Sequence, residues 1–371
     1  MATRVLQVQD THGRKLSLEL LSRGLTVHRL LVERPGFGAR DLVCGPEYAT
    51  EYEQEGRTFK NQVVGRYTNR LAAGPSSIET RDGGKITLNL ESNDRGKNYL
   101  HGGFNGYDLR DFESISPNSA IVKTFQKASG SQNHSNSNMD DKTHILYFHL
   151  HSPAGDQGFP ETIDLLATVT LKAHSDDLPS QVLTTSHSHL GRLEFSLQAM
   201  ICESLDDTQH ISSRGTPLNL TWHIGYILNS FDELQGDEGG INQYKLGINA
   251  DQYVETDEEH LPTGNIKKTS EIGFDLSTGD LVTGVGIEVI GKHIPKNGFD
   301  HCLIFKDIKN TDCVKASLRS PTDDVILNFR TNQTAVQCYS SNYFDGTGSR
   351  KKLHQIHSRP RGYEKHGQRV K

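Results

Sequence analysis

Four short stretches put side chains capable of proton transfer or hydroxyl recognition into unusual settings. In "VVGRYTNRLAAG" (63–74), Asn69 and Arg70 follow a strand-like start and precede a Gly-Pro turn. Both can donate hydrogen bonds to the hydroxyls of a polar ligand. In "NYLHGGFNGYD" (98–108), His101 is followed by two glycines, which permit close approach of backbone to a neighbour. In "TPLNLTWHIGYILN" (216–229), His223 lies in a mostly apolar run between Trp222 and Tyr226. In "KNGFDHCLIF" (296–305), Asp300 enters an apolar strand, where a carboxylate needs a hydrogen-bonding partner. Each stretch, read alone, suits a structural role better than a functional one. An imidazole titrates close to neutral pH, which suits histidine to acid–base work.

These side chains need a scaffold, and the dominant period in the sequence is two. "LEFSLQAMI" (193–201) alternates Leu193, Phe195, Leu197, Ala199 and Ile201 against Glu194, Ser196 and Gln198. "DVILNFR" (324–330) does the same, and "ILYFHLH" and "IDLLATVTLKA" are rich in β-branched and aromatic residues. Such runs are half-buried antiparallel strands. Gly and Pro punctuate them in "RDGGK", "SPAGDQGFP", "LPTGN", "STGD" and "PKNG". No long amphipathic helix is evident, so a parallel βαβ fold is disfavoured and a sandwich expected. The polar segment 128–142, "ASGSQNHSNSNMDDK", cannot feed a core and is expected to be a mobile surface loop inserted in a hairpin. No repeat of fixed period stands out, and one continuous domain, 1–371, is expected.

Composition narrows the function classes. The 371 residues carry 40 basic and 46 acidic side chains, net −6, which is not the footprint of a nucleic-acid binder. No run approaches 18 apolar residues and the N-terminus has no apolar leader, so neither a membrane span nor a signal peptide is expected, and a cytoplasmic protein is. The five cysteines, Cys44, Cys202, Cys302, Cys313 and Cys338, show no metal-ligand spacing and are expected to be free thiols. Gly286 to His293 nearly matches a phosphate loop, but His293 replaces the hydroxyl that would hold Mg²⁺, and its interior reads as a strand. No nucleotide, metal or other cofactor is expected.

The order of the motifs carries more than any one of them. GRYTNR, LHGG, SPAGDQGFP, NLTWH, GFDHC and AVQCYSSN, in that sequence from about residue 20 to residue 367, resemble the aldose 1-epimerase (galactose mutarotase) family. The resemblance implies an all-β, galactose mutarotase-like antiparallel β-sandwich, the supersandwich. It also implies a cofactor-free interconversion of the α and β anomers of a free hexose such as glucose or galactose. It makes His223 the acid that protonates the ring oxygen and places His101 near the same oxygen. Asn69, Arg70, Asp300 and Gln337 would hold hydroxyls. The expected partner is a small hexose, with the protein a monomer or weak dimer. A hexose-6-phosphate epimerase of the same fold, or a sugar-binding regulatory protein, are the alternatives.

Two departures accompany the resemblance. The residue before the acid is often Asn in the family and is Trp222 here, which either reshapes the cleft or packs behind it. The family's segment akin to "GYEKHG" leads into a strand of the type G-F-C-L-E, whose glutamate is the general base. Counted from His366, that glutamate falls just past Lys371, and the closing strands would follow it. Glu364 lies on the approach to that position and is a poor substitute, because a base must sit within hydrogen-bond reach of its proton.

Overall fold

The computed structural model describes residues 1–80, 83–130, 142–174, 189–202, 215–228, 243–273, 288–289, 298–343 and 348–355. The chain divides into two compact units. The first comprises residues 1–39, 43–179 and 189–226; the second comprises 40–42, 180–188 and 227–371.

In the first unit the strands are β1 (Thr3–Gln9), β2 (Lys15–Leu21), β3 (Thr26–Arg34), β4 (Gly38–Asp41, whose end passes into the second unit), β5 (Gln62–Val64), β6 (Arg70–Ala72), β7 (Gly74–Glu79), β8 (Lys85–Leu90), β9 (Asn98–Leu100), β10 (Glu113–Ile115), β11 (Thr143–Ser152), β12 (Ile163–Ala173), β13 (Gly191–Ile201) and β14 (Thr221–His223). β1 to β4 form one four-stranded sheet in sequence order, and β10 to β13 form another. β1 packs against β11 and β12. One face of β12 is apolar, with Leu165, Ala167, Val169 and Leu171 fully buried; the opposite face is mostly polar, with Leu166 its buried apolar residue. Its pairing to β11 and β13 is regular and antiparallel over its whole length.

The period-two readings hold. β11, β12, β13 and β21 (Ile326–Phe329) occupy the four stretches read as strands, and Leu193, Phe195 and Leu197 alternate inward against exposed Arg192, Glu194 and Ser196. The fragment of the near-phosphate-loop that is described, Glu288–Val289, is a strand.

The second unit holds β15 (Lys245–Ile248), β16 (Ala250–Thr256), β17 (Pro262–Lys268), β18 (Glu288–Val289), β19 (Asp300–Phe305), β20 (Ala316–Arg319), β21 and β22 (Ala335–Tyr339). Its two sheets run β18-β15-β20-β21 and β17-β16-β19-β22, with all strand pairs antiparallel. The architecture is predominantly antiparallel β, as expected. None of the five cysteines forms a disulfide. Among the described residues no helix is long and apolar enough to cross a membrane.

One expectation fails. Residues 128–130 are not loop but the end of a helix, α2 (Ala120–Ser129), which follows a one-turn helix, α1 (Glu51–Gln54). Ser119 caps α2 by accepting from the Val122 N–H at 3.3 Å, and Gly130 closes it in the left-handed conformation, φ 64°. Its Val122 and Phe125 pack on Leu166 of β12, beside Ile115, Tyr147 and Met200. The connection between neighbouring strands β10 and β11 therefore carries a helix that seals one face of their sheet, not a bare hairpin insertion. Residues 131–141 lie outside the described ones.

Candidate active site

His223 ends β14, a three-residue strand held edge-on to β5 with His223 opposite Gln62. β5 is a firm support. Val63 and Val64 are fully buried, and the Val63 N–H donates to the Gly24 carbonyl at 2.7 Å. The His223 carbonyl accepts from the Asn61 N–H at 2.7 Å, while the Asn61 side-chain oxygen accepts from the Gly225 N–H at 2.9 Å. The backbone from the His223 carbonyl to the Gly225 N–H is thus tied to one asparagine.

Trp222 resolves the question its position raised. Its Nε1–H donates to the Leu25 carbonyl at 3.1 Å and its ring lies 4.2 Å from that of Phe195. Neighbours along a strand face opposite ways, so the indole packs behind the strand on the side away from the His223 imidazole.

His101 follows β9, and Asn69 precedes β6, in a ladder where Arg70 opposes Leu100. The two extend that ladder with a reciprocal pair: the His101 N–H donates to the Asn69 carbonyl at 3.0 Å, and the Asn69 N–H donates to His101 Nδ1 at 3.0 Å. An N–H aimed at Nδ1 leaves the ring hydrogen on Nε2, so His101 presents a donor there. Both residues take left-handed backbone, φ 63° at Asn69 and φ 51° at His101. Asparagine tolerates that conformation; for histidine it costs on the order of 1 kcal/mol, which the surrounding bonds must offset. The glycines after His101 serve packing. A Cβ on Gly102 would sit 1.8 Å from the Gly65 carbonyl oxygen, and one on Gly103 would meet the Gln157 and Tyr99 side chains. The close backbone approach expected there is made to the protein itself.

The imidazoles of His101 and His223 meet edge to face, ring centres 5.6 Å apart. Phe59 lies 4.6 Å from His101 on another side. Burial pushes the His101 pKa down to about 3, with the neighbouring His223, Arg70 and Arg57 acting in the same direction. His101 is therefore a neutral imidazole across the physiological range.

Arg70 donates through Nε to Asp94 Oδ2 at 2.9 Å. Burial works against the Asp94 carboxylate, but the hydrogen bond and charge of Arg70 prevail and hold its pKa below the usual value. Among the described residues Arg70 uses only Nε on protein, so its two terminal nitrogens remain as hydroxyl donors.

Two arginines that sequence reasoning did not single out support this arrangement. Arg57 makes a two-point bridge to fully buried Asp108, both contacts 2.6 Å, and donates to the carbonyls of His101, at 3.3 Å, and Gly103. It also stacks on Phe59 at 4.5 Å. Arg66, buried within the GRYTNR motif, spends its guanidinium on Ser152, Pro153, Pro160, Glu161 and Thr216. It fastens the "SPAGDQGFP" segment to β5. Nothing in the local sequence of Arg57 marks it, whereas Arg66 sits in a motif already noticed.

In the second unit, Asp300 opens β19 and Gln337 lies on β22, one step diagonal across the ladder. Gln337 Nε2 donates to Asp300 Oδ1 at 2.8 Å. The carboxylate thus has the partner its apolar strand demanded, and the pair presents both donor and acceptor character. Gly74-Pro75, read as a turn, opens β7 instead. Residues 356–371, which include Glu364, lie outside the described residues.

The profile of the family described as aldose 1-epimerase matches residues 7–189 and 180–362. A galactose mutarotase of Mus musculus is 30% identical over 338 residues, spanning 90% of this chain and 77% of the relative. An aldose 1-epimerase of Haemophilus influenzae is 29% identical over 294 residues, spanning 79% of this chain and 67% of the relative. Among solved structures, the GalM/aldose epimerase homologue from C. elegans superposes with a TM-score of 0.62 at 20% identity, covering 95% of this chain and 86% of that one. The galactose 1-epimerase from Lactobacillus acidophilus gives 0.61 at 20% identity, with 94% and 85% covered.

Proposed function

Since this chain belongs to the aldose 1-epimerase family and is of the isomerase class, we propose that it interconverts the α and β anomers of a free hexose such as glucose or galactose. Opening a cyclic hemiacetal requires one proton to leave the anomeric hydroxyl and another to reach the ring oxygen as the C–O bond breaks. The open aldehyde turns about one bond and recloses on its other face, and the two protons return by the reverse transfers. His223 is assigned the proton delivery. His101, neutral and carrying its hydrogen on Nε2, donates to oxygen without competing as an acid. Arg70, with Asn69, holds hydroxyls, the role that the resemblance also gives to Asp300 and Gln337.

The observation that carries this reading is the edge-to-face pair of His101 and His223, ring centres 5.6 Å apart, with one ring kept neutral by burial. A neutral, unphosphorylated sugar is favoured over a hexose phosphate. Arg57 is neutralised by Asp108, Arg70 shares Asp94, and Arg66 is consumed by carbonyl and hydroxyl oxygens. That leaves little positive charge for a phosphate.

Exchange between the anomer signals of galactose in magnetisation-transfer NMR tests the proposal. Exchange faster with the protein than in buffer is expected; exchange no faster than in buffer would remove the proposed function.

A further inference from the structure

The face of the β10–β13 sheet on which α2 packs also carries a second constellation that the sugar chemistry does not use. His149 and His151 are two apart on β11, so both side chains leave the same face. In the ladder His151 lies directly opposite Asp164 of β12. Cys202 follows β13 and its N–H donates to the Thr162 carbonyl at 2.9 Å, which sets it diagonal to Asp164 on that face. Three strands thus deliver two imidazoles, a thiol and a carboxylate to one spot.

The carboxylate is the hub. Asp164 Oδ1 meets His149 Nε2 at 2.9 Å and His151 Nδ1 at 2.9 Å, and Oδ2 accepts from the Cys202 thiol at 3.0 Å. The donor atoms of His151, Asp164 and Cys202 all lie within 4.8 Å of one another. Among the described residues no lysine or arginine pairs with Asp164, whose side chain is only 16% exposed. A largely buried carboxylate surrounded by imidazole and thiol is a negative charge balanced by no fixed cation.

We propose that His151 Nδ1, the Asp164 carboxylate and the Cys202 sulfur form a three-ligand site for a zinc-class divalent cation, with solvent in the fourth position and His149 orienting the carboxylate. A tetrahedron with arms of about 2.0–2.3 Å has edges of about 3.3–3.8 Å, so the present separations need only small side-chain rotations. On binding, the Cys202 S–H bond breaks and the sulfur–metal bond forms, the proton passing to solvent. His151 carries its hydrogen on Nε2. One carboxylate and one thiolate then match the two positive charges. Imidazole and thiolate favour zinc over magnesium or calcium, which take oxygen donors. His149 keeps its bond to Oδ1, the outer contact that fixes a ligating carboxylate.

The test is titration of the metal-stripped full chain with zinc chloride by calorimetry, and with cobalt(II) followed by the sulfur-to-cobalt absorption band. One saturable ion per chain is expected, with that band present. His151→Ala removes an exposed side chain and should leave the fold intact. It and Cys202→Ser should each weaken binding at least about 10-fold, and Cys202→Ser should abolish the band. His144→Ala and Cys313→Ser, elsewhere on the surface, should bind as wild type does. Absence of one-to-one binding, or wild-type affinity in either His151→Ala or Cys202→Ser, overturns the proposal.

Discussion

Two histidine pairs sit within one unit of this protein and face opposite electrostatic problems. His101 and His223 stand at the ends of three-residue strands, near Arg57 and Arg70, and His101 is held neutral chiefly by burial. His149 and His151 stand on a ten-residue strand and share one acidic oxygen. The first pair is built from irregular backbone, with left-handed residues and glycines fixed by close contact. The second falls out of plain strand alternation. A second imidazole beside a ring kept from taking up charge suits transient proton traffic with a neutral sugar. A pair gathered on a carboxylate suits a resident cation. The residue type is the same; the surrounding charge and dielectric decide the chemistry.

The comparison breaks most readily at His223. Replacing it with Ala should lower kcat for anomer interconversion by roughly 10²–10⁴, the contribution of a positioned proton donor, while His151→Ala leaves kcat as it was. Equal losses in both would erase the distinction between the pairs.

The next largest effect concerns the frame under the first pair. Arg57→Met leaves fully buried Asp108 without its ionic partner and frees the carbonyls of His101 and Gly103. Stability should fall by about 3 kcal/mol in urea denaturation, because a buried charge stripped of its counterion is poorly solvated. A loss below about 1 kcal/mol would show that Arg57 does not hold this loop.

A third expectation concerns pH. His101 protonates at about 3 in the folded chain and near 6.5 when unfolded, so the unfolded state binds the proton first as pH falls. Its contribution is complete above pH 6.5 and declines as pH drops from there toward 3. His101→Asn, which suits left-handed backbone, should flatten the stability–pH curve in that window. An unchanged slope would mean the ring is not kept neutral by the fold. The smallest effect belongs to Trp222→Phe, which loses the bond to the Leu25 carbonyl and should cost about 1 kcal/mol of stability with little change in kcat. A large fall in kcat would place the indole on the sugar side of β14.

Much of the scaffold was legible because strand alternation needs only local patterning. β11, β12, β13 and β21 were readable from it, and the order of motifs singled out His101 and His223, whose rings meet in the fold. The helix α2 was not. Its two buried residues, Val122 and Phe125, make too short an apolar stripe, and the polar run from residue 128 overshadows the Ser119 cap. Arg57 escaped because its partner lies 51 positions away, and no local pattern announces such a bridge. The cluster around Asp164 escaped for a related reason. Its groups come from three neighbouring strands, Cys202 has no second cysteine at ligand spacing, and the local trace is the His-Leu-His of β11.

The claim at the centre is that the imidazole of His223 delivers the proton that opens the hexose ring. Polarimetry on freshly dissolved α-galactose tests it directly, using the protein with and without His223→Ala. The account predicts rapid equilibration with His223 and a rate near that of buffer without it; equal acceleration by both would contradict it.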